Sequence, residues 1–187
     1  MKKIFLFVAM AVVSTSAFAQ KFAHLNSTEV FQLIPEMDEV RSQLETMAKD
    51  NQDVIKSMYD EYQSKAQDYQ QKAATWTPAI RESKEKELME MESRINDTQQ
   101  SIQQEMQVRQ NELTAPVMKK MQETIEAVAK KGGYIYVFDV SSALYIDPAQ
   151  SVDITKEVRK ALNIPEGRTI ESLQAELQAK QQAQAAN

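Results

Sequence analysis

Apolar residues recur every three or four positions through most of this chain. The longest run alternates spacings of four and three residues, in Ile55, Tyr59, Tyr62, Ala66, Tyr69, Ala73 and Trp76. This heptad-like spacing is typical of a helix that packs along another helix. Because nothing between Glu36 and Ala74 breaks a helix, we predict one long helix over those residues.

A second long helix is predicted from Pro78 to about Lys131. Thr77 offers a capping hydroxyl, Pro78 suits the first helical position, and Gly132 is expected to end the helix. The apolar positions of this helix are sparser and include a seven-residue spacing, in Leu88, Ile95 and Ile102.

Two prolines predict how these helices are arranged. Pro35 and Pro116 come level when the chain folds back at Thr75–Thr77. We therefore expect an antiparallel helical hairpin whose arms are each about 60 Å long. Because proline removes a helical hydrogen bond, Pro116 is expected to kink the second helix.

One segment, GGYIYVFDVSSALYIDP at residues 132–148, departs from the helical pattern. Its aromatic and β-branched residues predict strands in YIYVFDV and ALYI, with a turn between them. A hairpin returns the chain to its start, so we expect this segment to pair with a strand in KFAHLN, residues 21–26. Asn26, three residues before Glu29, predicts the cap of a short helix that ends at Pro35.

Both faces of the predicted strands are apolar, which indicates burial on both sides. Because two or three short strands in one chain cannot achieve this, we expect several chains to share one small β-core. The predicted fold class is mainly α, with a helical hairpin on a short-stranded oligomerisation body. The candidate core residues are Phe22, Leu25, Ile135, Val137, Phe138 and Val140.

The ends of the chain carry separate signals. Lys2 and Lys3, a short apolar run and the sequence Ala17-Phe18-Ala19 predict a secretory signal peptide, cleaved after Ala19, and export of the mature protein. After a short helix capped by Asp153, the chain becomes rich in Gln and Ala, which indicates a frayed helix or a disordered tail. The predicted organisation is a signal peptide (1–19), a body (20–35 and 116–163), a helical arm (36–115) and a low-complexity tail (164–187).

Composition excludes several classes of function. Loss of Lys2 and Lys3 with the signal peptide changes the formal net charge from −5 to −7, which argues against nucleic-acid binding. With three glycines the chain cannot build a glycine-rich phosphate loop, and with no cysteine it cannot form disulfides.

No catalytic or cofactor-binding constellation is found, so we expect no enzyme activity, no metal and no cofactor. The single histidine, His24, has no second histidine or cysteine with which to bind a metal and is interpreted as structural. The acidic residues alternate with lysine and arginine at helical intervals, which is typical of solvated helix faces.

The apolar residues of the arm leave two interpretations open. They can hold one helix against the other, or some of them can contact a client protein, since methionine, tyrosine and tryptophan suit surfaces that accept many sequences. Trp76 at the hairpin tip can cap the loop or contact a client or a membrane. The candidate client contacts are Met58, Tyr59, Tyr62, Tyr69, Trp76, Leu88, Ile95 and Ile102.

The order of these segments resembles the Skp/OmpH family of periplasmic chaperones. FAHLNSTEVFQ resembles the family's opening strand and short helix, and YIYVFDVSSALYIDPAQSVDITKEVRKAL resembles its closing pattern, with VDIT the most specific match. The resemblance implies a homotrimer in which a shared β-core carries three helical hairpins around a cavity. It also implies that unfolded outer-membrane proteins are held there without ATP.

The acidic charge of this chain departs from the strongly basic best-known members. Residues 36–74 contain five basic and nine acidic side chains, and residues 75–115 contain five and eight. Lipopolysaccharide binding is therefore not inferred, and contact with a membrane stays open. The main hypothesis is a holdase, and the alternative is a non-enzymatic coiled-coil adaptor or structural protein of the cell envelope.

Overall fold

The computed structural model describes residues 21–185, so the predicted signal peptide lies outside the described residues. These residues belong to two compact units, one formed by residues up to Leu33 together with those from Met121 onward, the other by Ile34–Lys120. The elements in chain order are β1 (Lys21–Leu25), α1 (Ser27–Leu33), α2 (Glu36–Lys72), a 3-10 turn (Ala73–Thr75), α3 (Pro78–Gly132), β2 (Tyr134–Asp139), a second 3-10 turn (Val140–Ser142), β3 (Ser151–Asp153), α4 (Thr155–Ala161) and α5 (Ile170–Ala185).

The first unit contains a three-stranded sheet in the order β2-β1-β3. Ala23 of the central strand pairs in parallel with Val137 on one side and with Val152 on the other. The predicted pairing of the 132–148 segment with the start of the described chain is therefore confirmed.

The predicted third strand in ALYI is wrong, because residues 143–146 lie outside the strands and β3 supplies the third one. The Asp139 carboxylate accepts hydrogen bonds from the Ser141 amide, at 2.7 Å, and the Ser141 hydroxyl, at 2.6 Å. These bonds bend the chain into a 3-10 turn at the end of β2. A parallel strand also needs a longer return than a two-residue turn allows, so the next strand forms only after a loop.

The long helices begin and end close to the predicted positions. Pro35 separates α1 from α2, and the Thr77 hydroxyl accepts a hydrogen bond from the Ile80 amide at 3.4 Å at the start of α3. α3 runs through Pro116 without ending there. The predicted hydrogen bond from the Glu29 amide to the Asn26 side chain is present, at 3.0 Å.

The glycine that allows the chain to leave α3 differs from the predicted one. Gly133, with a φ of 69°, adopts the left-handed conformation and donates its amide hydrogen to the Lys130 carbonyl. Gly132 is the last helical residue, and a side chain there would collide with the Tyr134 ring. The two glycines therefore serve different purposes. Gly133 allows the left-handed backbone conformation, and Gly132 leaves room for the Tyr134 ring.

The core of the first unit joins its helices and includes part of the tail. Side chains of α1, the segment around α4, and α5 are buried, namely Val30, Leu33, Ile154, Val158, Leu162, Ile164 and Leu173. Arg159 ties these segments together, because it pairs with Glu29 at 3.1 Å and donates to the Pro165 and Arg168 carbonyls. The tail is thus helical from Ile170, in agreement with the helical alternative, and the disordered alternative is wrong for the described residues.

Candidate binding surfaces

In the second unit, side chains of α2 contact side chains of α3 at four levels. The pairs are Glu36 with Lys120, Tyr59 with Gln99, Lys65 with Glu87, and Tyr69 with Glu85. As the α2 partner moves toward the C-terminus, the α3 partner moves toward the N-terminus.

Hydrogen bonds in two of these pairs shift the pKa values of Glu87 and Tyr69. The Lys65 ammonium, followed by that of Lys84, lowers the pKa of Glu87 to about 2. The hydrogen bond from Tyr69 to the Glu85 carboxylate raises the pKa of the Tyr69 hydroxyl. Both groups sit at the surface, where water screens charges, so they report the pairing of the helices more than they stabilise it.

All eight candidate client contacts lie in the second unit, with different exposure. Ile95 is only 3% exposed and Tyr59 is 41% exposed, while the other six are half-buried. The Trp76 ring packs edge-on against Tyr69, with ring centroids 5.8 Å apart. This contact joins the loop residue Trp76 to a side chain of α2.

The middle of this unit contains an open groove of about 430 Å³ between α2 and α3. The Asn51 side-chain nitrogen is buried there without a hydrogen-bond partner. Only Ile102 of the groove is among the candidate client contacts. The spacing of apolar residues in α2 departs from the heptad pattern at Ala48 and Asn51, and this departure is the signal that the sequence offers for the groove. The groove is lined by Ala48, Asn51, Gln52 and Ile55 of α2 and by Gln99, Ile102, Gln103 and Met106 of α3.

The first unit exposes an apolar surface, here called the exposed face, which is made of side chains of β2 and of the loop after it. The rings of Phe22, Tyr136 and Phe138 form a cluster with centroids 6.1 to 6.3 Å apart. Ile135 is 49% and Phe138 48% exposed, and the loop after β2 adds Leu144, which is fully exposed, and Tyr145, which is 80% exposed.

The candidate core residues divide between the interior and this exposed face. Leu25 is buried, Phe22, Val137 and Val140 are half-buried, and Ile135 and Phe138 belong to the exposed face. Sequence reasoning missed the loop residues Leu144 and Tyr145 because it assigned them to a paired strand.

His24 occupies a position in the sheet that fits the structural interpretation. Its Nδ1 atom lies 2.8 Å from the Ser151 hydroxyl, which links β1 to the start of β3. Among the residues that the structure describes, no three His, Asp or Glu side chains gather in a way that could hold a metal ion. None of the helices within residues 21–185 combines the length and apolar character that crossing a membrane requires.

Comparison with known proteins places this chain in a family. A family profile described as "Outer membrane protein (OmpH-like)" matches residues 21–162, from the start of β1 to the residue after α4. The chain belongs to the OmpH-like family. The match contains all of the second unit and most of the first, whose residues 163–185 lie beyond it.

Two of these relatives are proteins named "Chaperone protein Skp". The one from Yersinia enterocolitica is 30% identical over 148 residues, covering 78% of this chain and 90% of the relative. The one from Pectobacterium atrosepticum is 30% identical over 153 residues, covering 82% of this chain and 92% of the relative. The crystal structure of an OmpH-like protein from Caulobacter crescentus has the same fold, with a TM-score of 0.67 at 17% identity, over 77% of this chain and 84% of that one.

Proposed function

We propose that this OmpH-like protein is a periplasmic chaperone that keeps unfolded outer-membrane proteins from aggregating and needs no ATP. The main support is the match to named Skp chaperones over 148 and 153 residues of this chain. We infer that it is not an enzyme and uses no cofactor, because its surfaces offer broad contact areas in place of a convergent set of reactive groups.

We infer that α2 and α3 form an antiparallel hairpin arm of residues 36–115. The reversed order of their partners, from Glu36 with Lys120 to Tyr69 with Glu85, is what two helices joined by a tight turn produce. The body, residues 20–35 and 116–163, would carry this arm, with residues 164–187 as the tail.

The exposed face of the first unit supports assembly into a homotrimer. Apolar faces of this kind on a soluble domain usually mark an interface. In the trimer the candidate core residues Phe22, Leu25, Ile135, Val137, Phe138 and Val140 would line or support the shared β-core. The subunit number rests on the family resemblance.

Three arms around a cavity would hold a client by many weak contacts. Such contacts add up through multivalency, so a chain can be retained without one deep pocket. The half-buried arm residues Met58, Tyr62, Leu88 and Ile102 would offer apolar area at the seam, and Tyr59 is the most exposed of the candidate contacts.

Light scattering tests the proposal directly. A urea-unfolded outer-membrane β-barrel protein is diluted into buffer with and without this protein, without nucleotide and at several salt concentrations. We expect scattering to fall at stoichiometric amounts of the oligomer. If scattering is unchanged although the protein is folded and oligomeric, the holdase proposal fails and the adaptor hypothesis replaces it.

A further inference from the structure

We propose that the groove between α2 and α3 binds the peptide backbone of an extended segment of an unfolded client; this rests on the proposed function and names a site for it. The site is the open space lined by Asn51, Gln52, Gln99 and Gln103, with apolar side chains beside them. It lies within a single arm, and so differs from a cavity enclosed by several arms.

The unpartnered amide of Asn51 is the first observation that points to a ligand. Its nitrogen is buried and has no acceptor, whereas buried polar groups in proteins nearly always have a partner. When the Asn51 side chain turns toward the open space of the groove, a peptide carbonyl bound there would supply that acceptor. Gln99 already uses its nitrogen at the rim, where it donates to the Tyr59 hydroxyl at 3.5 Å.

The absence of charge from the lining is the second observation. The unit Ile34–Lys120 carries 12 basic and 17 acidic side chains, yet the eight residues that line the groove include none of them. A backbone ligand is neutral and both donates and accepts hydrogen bonds. Side-chain amides match this chemistry because each also has a donor and an acceptor.

The apolar part of the groove suits the side chains of a β-barrel strand. Such strands alternate apolar and polar residues, so one face of an extended segment is apolar. That face can contact Ile55, Ile102 and Met106 while the peptide groups reach the amides. The volume, about 430 Å³, falls in the usual range of ligand pockets, roughly 300–1,000 Å³.

Asn51→Leu tests this site, with Asn96→Leu as its matched control. Asn96 is an exposed asparagine of α3 that does not line the groove. The probe is a fluorescently labelled, urea-unfolded outer-membrane β-barrel protein, and the dissociation constant is measured by anisotropy. We expect Asn51→Leu to weaken binding at least fivefold, and Asn96→Leu to change it less than twofold.

Thermal unfolding of each variant separates loss of binding from loss of folding. Leucine removes a buried amide nitrogen that has no acceptor, so Asn51→Leu should unfold at the same temperature as the parent protein or higher. Binding that is equal to or tighter than that of Asn96→Leu would overturn the proposal, because the groove would then be a packing gap only.

Photo-crosslinking provides a second test that needs no change at Asn51. Benzoylphenylalanine replaces Gln103, which lines the groove, or Gln100, which is exposed on the same helix outside it. We expect client adducts at least fivefold stronger at position 103 than at position 100. Equal adducts would overturn the groove proposal and leave the holdase proposal standing, whereas failure of the parent protein to bind client would end both.

Discussion

Asp139 decides how the chain leaves β2, and it does so through three hydrogen bonds. Its carboxylate accepts from the Ser141 amide and hydroxyl and from the Ser27 hydroxyl at the start of α1. Hydrogen bonds to the charged form favour that form, so they lower the pKa of Asp139, with the Ser141 hydroxyl the largest cause.

We expect Ser141→Ala to raise the pKa of Asp139 toward its ordinary value of 3.8. Because the pKa of Asp139 is depressed in the folded protein, its hydrogen bonds stabilise the fold at neutral pH. This stabilisation is lost as pH falls through the pKa of folded Asp139. Carboxyl NMR titration measures the shift. Ser142→Ala is the control, since its hydroxyl bonds to the Asp139 carbonyl, at 3.1 Å, and not to its carboxylate. An equal pKa in both variants would contradict this account.

At the level of single residues, local patterns were readable from sequence and distant partners were not. The Asn26 cap was predicted because its partner, Glu29, is three residues away. The Glu29 side chain, however, pairs with Arg159, and no spacing along the chain indicates a contact across 130 residues. The groove at Asn51 was signalled only as a drift in heptad spacing, because its lining depends on which residues of α3 lie opposite α2.

At the level of elements, the ion pair between Lys65 and Glu87 reports whether α2 and α3 are joined side by side. We expect Lys65→Ala to raise the pKa of Glu87 from about 2, though not fully, since Lys84 remains 2.8 Å away. Because the pKa of folded Glu87 is depressed, the ion pair stabilises the folded protein at neutral pH. This stabilisation is lost only as pH falls through about 2.

The measurement is again carboxyl NMR titration, here with Lys86→Ala as the control. Lys86 neighbours this site on α3 but pairs with Glu90, at 3.7 Å. If Lys65→Ala moves the pKa of Glu87 no more than Lys86→Ala does, α2 and α3 do not lie together at this level and the hairpin arm loses its main support.

The tail shows a second property of elements, namely that low-complexity composition does not exclude a defined place in the fold. α5 contacts α1, and Leu173 is 5% exposed although it lies beyond the family match.

We expect Leu173→Ala to lower the free energy of unfolding of the body by about 2–5 kcal/mol, as for other buried leucines. Urea unfolding of this variant and of Gln174→Ala, an exposed neighbour, checks it; equal stability would mean that α5 is not part of the core.

Long helices were predictable and short strands were less so, for physical reasons. Pro35, Thr77 and Pro78 mark helix boundaries by their own conformational limits, so the bounds of α2 and α3 follow from local chemistry. β3 has three residues and is defined only by its pairing with β1, about 130 positions earlier. A mostly exposed strand of that length has no hydrophobic pattern to reveal it.

For the whole molecule, the exposed face of the first unit predicts assembly, and Ile135 is the residue that tests it most cleanly. Ile135 and Val54 are both β-branched and are 49% and 50% exposed, but Ile135 lies on β2 and Val54 on α2. A buried lysine charge disfavours an interface strongly, whereas on a solvated surface it has little effect. We expect the parent protein and Val54→Lys to have three times the mass of one chain by multi-angle light scattering, and Ile135→Lys to dissociate into smaller species at micromolar concentration.

Circular dichroism must show that Ile135→Lys keeps its helices, so that dissociation is not a consequence of unfolding. A parent protein with the mass of one chain would contradict the shared β-core, and an Ile135→Lys variant that stays assembled would remove Ile135 from the interface.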